Sequence, residues 1–420
     1  METKNNRRVV ITGLGILSSV GIGKQKFWEA IKEGRSGIRS ITLFNAEGFP
    51  VRIAGEVADF DPQNFFPYEL SRRLDRFCLQ GMAATKLALM DANLPLRFEN
   101  PEEADRNCIV IGTAAGALPH AEETHSLFVE KGIRRIPPFF SATILSTSCA
   151  TQIGMMVDSH SYITTISTAC ASGTSAIGDA FHLIRQGRFD LGIAGASEAS
   201  ITPLATAAFS SIGLLAKESE DPAQACRPFS RDRTGIVIAE GAAIVILEEL
   251  EHAVTRGARI YSEIKGYGHS FDSYHVLQPF PSGDYSAQAM MKALEDASLK
   301  PTEIDYVNAH GSASIQSDKA ETLAIKKAFG SHAYRLSVSS TKSMIGHTLG
   351  ACGALEFVAC VLMLKNQFLH PTINLRIRDP ECDLDYIPNE GRAQTVRTIL
   401  SNSSGFGGYN AACVVQKFEP

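Results

Sequence analysis

No two cysteines in the chain form a CxxC pair; the nine present are scattered singly at positions 78, 108, 149, 170, 226, 352, 360, 382 and 413. That spacing argues against a zinc site or a disulfide framework, and scattered thiols suit a reducing cytosol. No GxSxG occurs, which argues against an α/β-hydrolase. Neither sign of charge dominates: the net charge of −5 argues against a dedicated nucleic-acid binder. No apolar run comes near the ~18–20 residues of a membrane span; the run from Phe357 to Leu364 falls far short. No Pro/Gly/Ser-rich linker interrupts the chain. Its 420 residues, 44% hydrophobic and with 34 glycines, suffice for a large core and are expected to form one compact α/β body in two halves. The expectation is a soluble cytoplasmic protein without membrane or nucleic-acid partners.

The start, METKNNRRVVITGLGILSSVGIG, has the basic-then-apolar order of a signal peptide. Its glycines and β-branched residues fit a strand and turn better. Arg8 to Thr12 reads as a strand, and Gly13-Leu14-Gly15 as a tight turn after an edge of the core sheet. A dinucleotide fingerprint fails because Ser18 replaces its third glycine.

The most informative stretch is Ile163 to Gly187. A β-branched run crosses the small-residue turn Ser167 to Gly173 into a helix with apolar positions Ala176, Ile177, Ala180, Phe181 and Ile184. Cys170 in that turn is placed at the positive end of a helix dipole, where a thiol's pKa falls from about 8.5 towards neutrality. Ser71 to Ala92 reads as one helix with Arg72, Arg73 and Arg76 near its start. Those charges suit a solvated face or a docking patch for an acidic partner. Further strands are expected at 107–113, 190–194 and 242–247. A second half from about Ala258 repeats the pattern, with strands at 305–308, 336–340, 398–402 and 411–417. The unit of strand, turn and small-residue helix at 336–365 parallels the Cys170 unit. Sites in α/β sheets gather at the carboxyl ends of strands, and this collects Cys170, His310, Lys342, His347 and the Gly405–Gly408 loop.

Such a set suits acyl transfer. A thiolate attacks a thioester carbonyl, and backbone N–H groups of Cys170 and of the loop at Phe406 form an oxyanion hole. Two histidines donating N–H bonds stabilise an enolate, with Lys342 as a fixed charge partnered by Glu321. A Cys–His protease, the rival reading, needs only one oriented histidine.

Several motifs resemble the β-ketoacyl-acyl carrier protein synthases, the condensing enzymes of thiolase fold. They are TACASGTSAIGDA around Cys170, VNAHGSAS around His310, SSTKSMIGHTLGACGALE around Lys342 and His347, and NSSGFGGYN around Phe406. RPFSRDRTGIVIAEGAAIVILEELEHA and PTINL also match. The resemblance covers nearly the whole chain. It implies two similar thiolase-like halves, here 1–258 and 259–420, in a five-layered αβαβα body that dimerises. It implies that Cys170 accepts an acyl chain from a carrier protein's phosphopantetheine. Malonyl-carrier then loses CO2 at His310 and His347, and the carbanion attacks the acyl thioester. Lys342 supports the histidines and pairs with Glu321. Ser312 and Ser314 stand at the pantetheine hydroxyl positions, Phe406 at the gating phenylalanine beside Gly405 and Gly407, and Arg72 and Arg73 in the carrier-docking region. No bound cofactor or metal is implied.

Three departures bear on the substrate. Ala115 and Ser404 stand where fatty-acid members carry bulky residues. A basic docking residue is missing between Phe209 and Leu215. Ser312-Ala313-Ser314 replaces a threonine-rich run. Two opened gates favour a type II polyketide or polyene ketosynthase over a housekeeping fatty-acid elongation enzyme. The former would pair with itself or with a chain-length-factor-like subunit. A non-catalytic partner of that kind would lack the cysteine, and a thiolase would need a second catalytic cysteine near the C-terminal glycine loop.

Overall fold

The computed structural model describes residues 7–217 and 220–420. The opening residues 1–6, part of the signal-like start, lie outside them. Ten strands carry the architecture: β1 (Val9–Ser18), β2 (Asn107–Gly112), β3 (Tyr162–Ile166), β4 (Leu191–Glu198), β5 (Gly241–Glu249), β6 (Ser262–Phe271), β7 (Tyr306–Asn308), β8 (Ser337–Ser339), β9 (Thr398–Gly405) and β10 (Tyr409–Lys417). The main helices are α1 (Arg76–Asp91), α2 (Ser148–Val157), α3 (Ser172–Arg185), α4 (Asp284–Asp296), α5 (Ile315–Phe329) and α6 (Cys352–Asn366).

One pairing scheme is used twice. In the first half β1 pairs antiparallel with β5, β5 antiparallel with β4, and β4, β2 and β3 follow in parallel. In the second, β6 pairs antiparallel with β10, β10 antiparallel with β9, and β9, β7 and β8 follow in parallel. Each half therefore places its first, fifth, fourth, second and third strands in that spatial order. Even the irregularities correspond: the first strand of each half bulges against its fifth, at Thr12 and at Lys265. Pairing of Val9–Ile11 with Ser262–Ile264 joins the two sheets into one hydrogen-bonded array.

Helices α1 and α2 cover the outer face of the first sheet, and α4 and α5 the outer face of the second. Between the sheets lie α3 and α6, in contact with each other and with strands of both halves, which gives the five layers. The middle layer is close-packed through small residues. A Cβ on Gly173 would stand 2.6 Å from the Ala354 nitrogen, and one on Gly353 2.0 Å from Thr174 Oγ1. These contacts explain the small-residue composition of both helix starts. One expectation fails here: the segment Leu349–Asn366, 18 residues long, is apolar enough by length and composition to cross a membrane, although no run was expected to come near that length; 89% of it is buried here. Its apolarity serves the middle layer.

Two further expectations change. Gly13-Leu14-Gly15 is not a turn: β1 runs through it in the interior of the sheet. The glycines are there because α1 lies against the strand, and Cβ atoms at 13 and 15 would stand 2.3 and 1.9 Å from the Ala88 and Ala84 carbonyl oxygens. The single helix expected over 71–92 is broken. A short turn, Tyr68–Ser71, precedes α1, which starts only at Arg76 with the Asp75 carboxylate accepting the Phe77 N–H at 2.8 Å.

Gly353→Val should lower the midpoint of thermal unfolding, because overpacking a filled core costs about 1–3 kcal/mol. The exposed Met90→Ala should stay within about 0.5 kcal/mol of the parent. Equal midpoints for the two variants would contradict the packing of the middle layer.

Candidate active site

The duplicated topology brings the carboxyl ends of β3, β7, β8 and β9 to one place. Cys170 follows β3, His310 follows β7, Lys342 and His347 follow β8, and Phe406 follows β9. A cavity of about 400 Å³ opens there. Cys170, His310, His347, Ser312, Ser314, Ser404, Gly405, Phe406 and Gly407 line it, nine of the residues expected from sequence. Phe209, Asp272 and Gln278 add to its wall, and Phe209 lies 6.4 Å from the Phe406 ring, centroid to centroid. Lys342 and Glu321 sit behind the cavity. Ala115 is outside it, exposed on the chain at the end of β2. Arg72 and Arg73 lie on the surface ahead of α1. Arg76 does not join them in a basic patch, because its guanidinium bonds both Glu240 carboxylate oxygens, at 2.7 and 2.8 Å.

Backbone strain concentrates at the site. Ala169 and Ala313, each beside a lining residue, and Leu349, itself a lining residue, have φ of 51°, 69° and 45°. Left-handed backbone costs a non-glycine residue about 1 kcal/mol or more and persists where surroundings dictate it. Gly405 is dictated too, since a Cβ there would stand 2.9 Å from the Cys170 nitrogen. The glycine loop thus lies against the nucleophile's backbone, with the Phe406 N–H on the side that favours the Cys170 thiolate.

Cys170 is not the pre-ionised thiol that the helix N-terminus suggested. Burial pushes its pKa up to about 11, against the opposing pull of the Lys342 charge and the Phe406 N–H. Desolvation of a thiolate outweighs the helix dipole here.

Lys342 is fully buried and remains cationic. Burial alone would lower its pKa, but the surrounding Cys352, Glu356 and Glu321 raise it. Its ion-pair partner is Glu356, not the expected Glu321. Glu356 stands in the first turns of α6, facing the lysine. Glu321, on α5, instead accepts the backbone N–H groups of His310 and Gly311 and the Asn402 amide, each at 2.7 Å. Both carboxyls are raised by burial, Glu356 to about 7.

The lysine also sets the chemistry of His310. Its ammonium donates to the His310 carbonyl at 2.7 Å and lies 3.3 Å from the ring Nδ1. An ammonium has no lone pair, so Nδ1 must accept and the ring proton sits on Nε2. In His347, Nδ1 accepts the Leu349 N–H at 3.2 Å, which again leaves the proton on Nε2. Burial and the nearby ammonium keep both rings neutral: His310 is lowered well below its ordinary value, and His347 to about 3. The rings meet edge to face at 5.4 Å. Two neutral N–H donors beside a thiol can stabilise a developing oxyanion without protonating the carbon next to it.

Sequence reasoning missed Glu356, Asn402 and the buried Glu198. Glu356 lies inside the quoted stretch GACGALE, but no local spacing links it to Lys342. Among the described residues no cluster of three or more His, Cys, Asp or Glu side chains is arranged to hold a metal ion.

The chain matches the β-ketoacyl synthase N-terminal domain over residues 6–253 and the β-ketoacyl synthase C-terminal domain over 261–376. It is 42% identical over 419 residues to a 3-oxoacyl-[acyl-carrier-protein] synthase 2 of Synechocystis sp., covering 100% of both chains. It is also 42% identical over 420 residues to a polyketide β-ketoacyl synthase of Streptomyces cyaneus, covering 97% of this chain and 98% of that one. Among solved structures, the ishigamide ketosynthase/chain length factor superposes with a TM-score of 0.91 at 35% identity, covering 98% of this chain and 100% of that one.

With a pKa of about 11 at Cys170, iodoacetamide alkylation of this residue should still be accelerating between pH 8 and pH 10, followed by peptide mass spectrometry. A plateau below pH 8 would show a thiolate in the resting protein.

Proposed function

The chain belongs to the β-ketoacyl synthase family and is a β-ketoacyl-[acyl-carrier-protein] synthase, a condensing acyltransferase; from that premise we propose which residues carry each step and which chains it extends. Cys170 attacks the acyl thioester on the phosphopantetheine of an acyl carrier protein and releases the carrier thiol. The N–H groups of Cys170 and Phe406 hold the oxyanion. Malonyl-carrier then enters. Its C–C bond to the carboxylate breaks, CO2 leaves, and the electron pair forms an enolate whose oxygen takes both Nε2–H bonds. The carrier-bound enolate carbon attacks the acyl–Cys170 carbonyl, the C–S bond breaks, the β-ketoacyl chain is left on the carrier, and the departing Cys170 sulfur takes a proton from solvent to return to the thiol. Lys342, held by Glu356, keeps His310 an acceptor at Nδ1, and Glu321 holds the His310–Gly311 backbone. Ser312 and Ser314 supply hydroxyls to pantetheine, and the loop of Gly405, Phe406 and Gly407 gates the acyl chain. The nucleophile belongs to a half spanning 1–258 and the histidines and lysine to one spanning 259–420. The chain supplies all these groups itself, with no bound cofactor.

The preferred substrate is a keto-bearing or unsaturated chain of the type II polyketide or polyene class. The observation that carries this is Ser404. It lines the cavity next to Phe406, and its hydroxyl donates to Asn410 Oδ1 at 2.9 Å. A small hydroxyl there leaves room and polarity that a saturated chain does not need. The alternative, fatty-acid elongation, is favoured by the full-length similarity to the cyanobacterial 3-oxoacyl-[acyl-carrier-protein] synthase 2. Ala115 enlarges the acyl channel in an assembly where its exposed face is covered by a second subunit, either a copy of this chain or one resembling a chain length factor. Carrier docking falls to Arg72 and Arg73. Arg73 lies over the exposed Phe139 ring at 5.8 Å, which joins charge to an apolar centre. The cytoplasm is the compartment proposed.

Intact-mass analysis of carrier-bound products tests the substrate reading. Ser404→Phe should reduce turnover of keto-bearing and polyene carriers about tenfold or more while sparing short saturated chains. Rapid elongation of saturated chains by the parent protein alone, with no effect of Ser404→Phe, would establish the fatty-acid role instead.

A further inference from the structure

Glu198 ends β4 with its side chain fully buried. Among the described residues no cation pairs with it; only dipoles converge on it. Its carboxylate accepts the backbone N–H of Ala114 at 2.7 Å, of Ala115 at 3.3 Å and of Gly350 at 3.2 Å. The hydroxyls of Ser200 and Thr113 donate to it at 2.8 and 3.4 Å. Five donors on one carboxylate need an acceptor-only group; an amide would turn its own N–H bonds towards some of them.

These bonds join two turns of different halves. Residues 113–115 follow β2. Residues 349–351 lead from His347 into α6, and they start with Leu349, whose N–H holds His347 Nδ1. The turns are in contact: a Cβ on Gly350 would stand 2.3 Å from the Ala114 nitrogen and 2.7 Å from the Glu198 carboxylate. Leu349 itself keeps a φ of 45°, a conformation that needs outside support.

We propose that Glu198 is a positioning residue of the condensation: its carboxylate ties the turn after β2 to the turn after His347, and so holds the Leu349 N–H on His347 and the ring beside Cys170. The negative charge has a second effect. It lies near enough to Cys170 to oppose ionisation of the thiol. Glu198 therefore orients one reacting group at some expense to the acidity of another.

The proposal rests on the roles given above to Cys170 and His347, and the test separates the two. Full-length Glu198→Gln and Glu198→Asp would be compared with the parent in three measurements: acylation of Cys170 by an acyl-carrier, CO2 release from malonyl-carrier, and the pH profile of Cys170 alkylation. A parent protein that neither loads nor decarboxylates would overturn the catalytic roles themselves. For Glu198→Gln, CO2 release should fall about tenfold or more while acylation stays within about threefold. The alkylation profile should move to lower pH, because a charge near the thiol is gone. Glu198→Asp should recover part of the CO2 release. An equal loss in loading and decarboxylation with an unmoved alkylation profile would overturn the proposal, as would unchanged CO2 release. If Glu198→Gln does not fold, Ser200→Ala removes one donor and leaves the carboxylate. It should lower CO2 release about two- to fivefold with loading intact, and an unchanged rate would again overturn the proposal.

Discussion

A single ammonium buried at the meeting of the two halves governs the site. Lys342 has no access to solvent. Leaving such a charge uncompensated would cost several kcal/mol, so Glu356 must stand opposite it and α6 must begin where it does. With the ion pair in place, the remaining N–H bonds of the lysine can only be donated. His310 is the recipient twice over, through its carbonyl and its ring. The tautomer of His310, and through burial and charge the neutrality of both histidines, follow from that constraint.

The duplicated fold explains how such a site is assembled. Each half ends its parallel strands at the central helical layer, and the two halves face one another there. Cys170 and the Lys342–His347 segment occupy corresponding places, each just after the third strand of its half. The shared frame has been filled with different chemistry: a nucleophile on one side, and fixed charge with N–H donors on the other. The glycines of the middle layer and of β1 allow close approach, so that helices α1, α3 and α6 hold the strand ends in register. Glu198 then links the two sides across their boundary.

Much of this was legible in the sequence because strand ends carry a recognisable grammar. The run before Cys170 is β-branched and the residues after it are small, and the motifs around Cys170, His310 and Lys342 are long enough to specify a family. What remained hidden depended on burial and on contacts between distant segments. The acidity of Cys170 follows from desolvation, which no local pattern reports, so the helix N-terminus alone suggested the wrong direction. Glu321 was the partner expected for Lys342, and Glu356 emerged only because the lysine side chain runs towards the start of α6. Gly13 and Gly15 read as a turn because the helix that requires them lies some 70 residues further along the chain. Ser404 and Ala115 were both read as openings of one pocket, but Ser404 alone lines it in the single chain.

The most direct test of the central claim is a ¹⁵N-histidine NMR titration of the parent protein and of Lys342→Met, with His310 and His347 identified by single substitution. In the parent, both rings should remain neutral between pH 8 and pH 5, with Nε2 protonated and Nδ1 bare. In Lys342→Met, His310 alone should lose that fixed tautomer. A parent His310 that is an imidazolium at pH 7, or that carries its proton on Nδ1, would contradict the account.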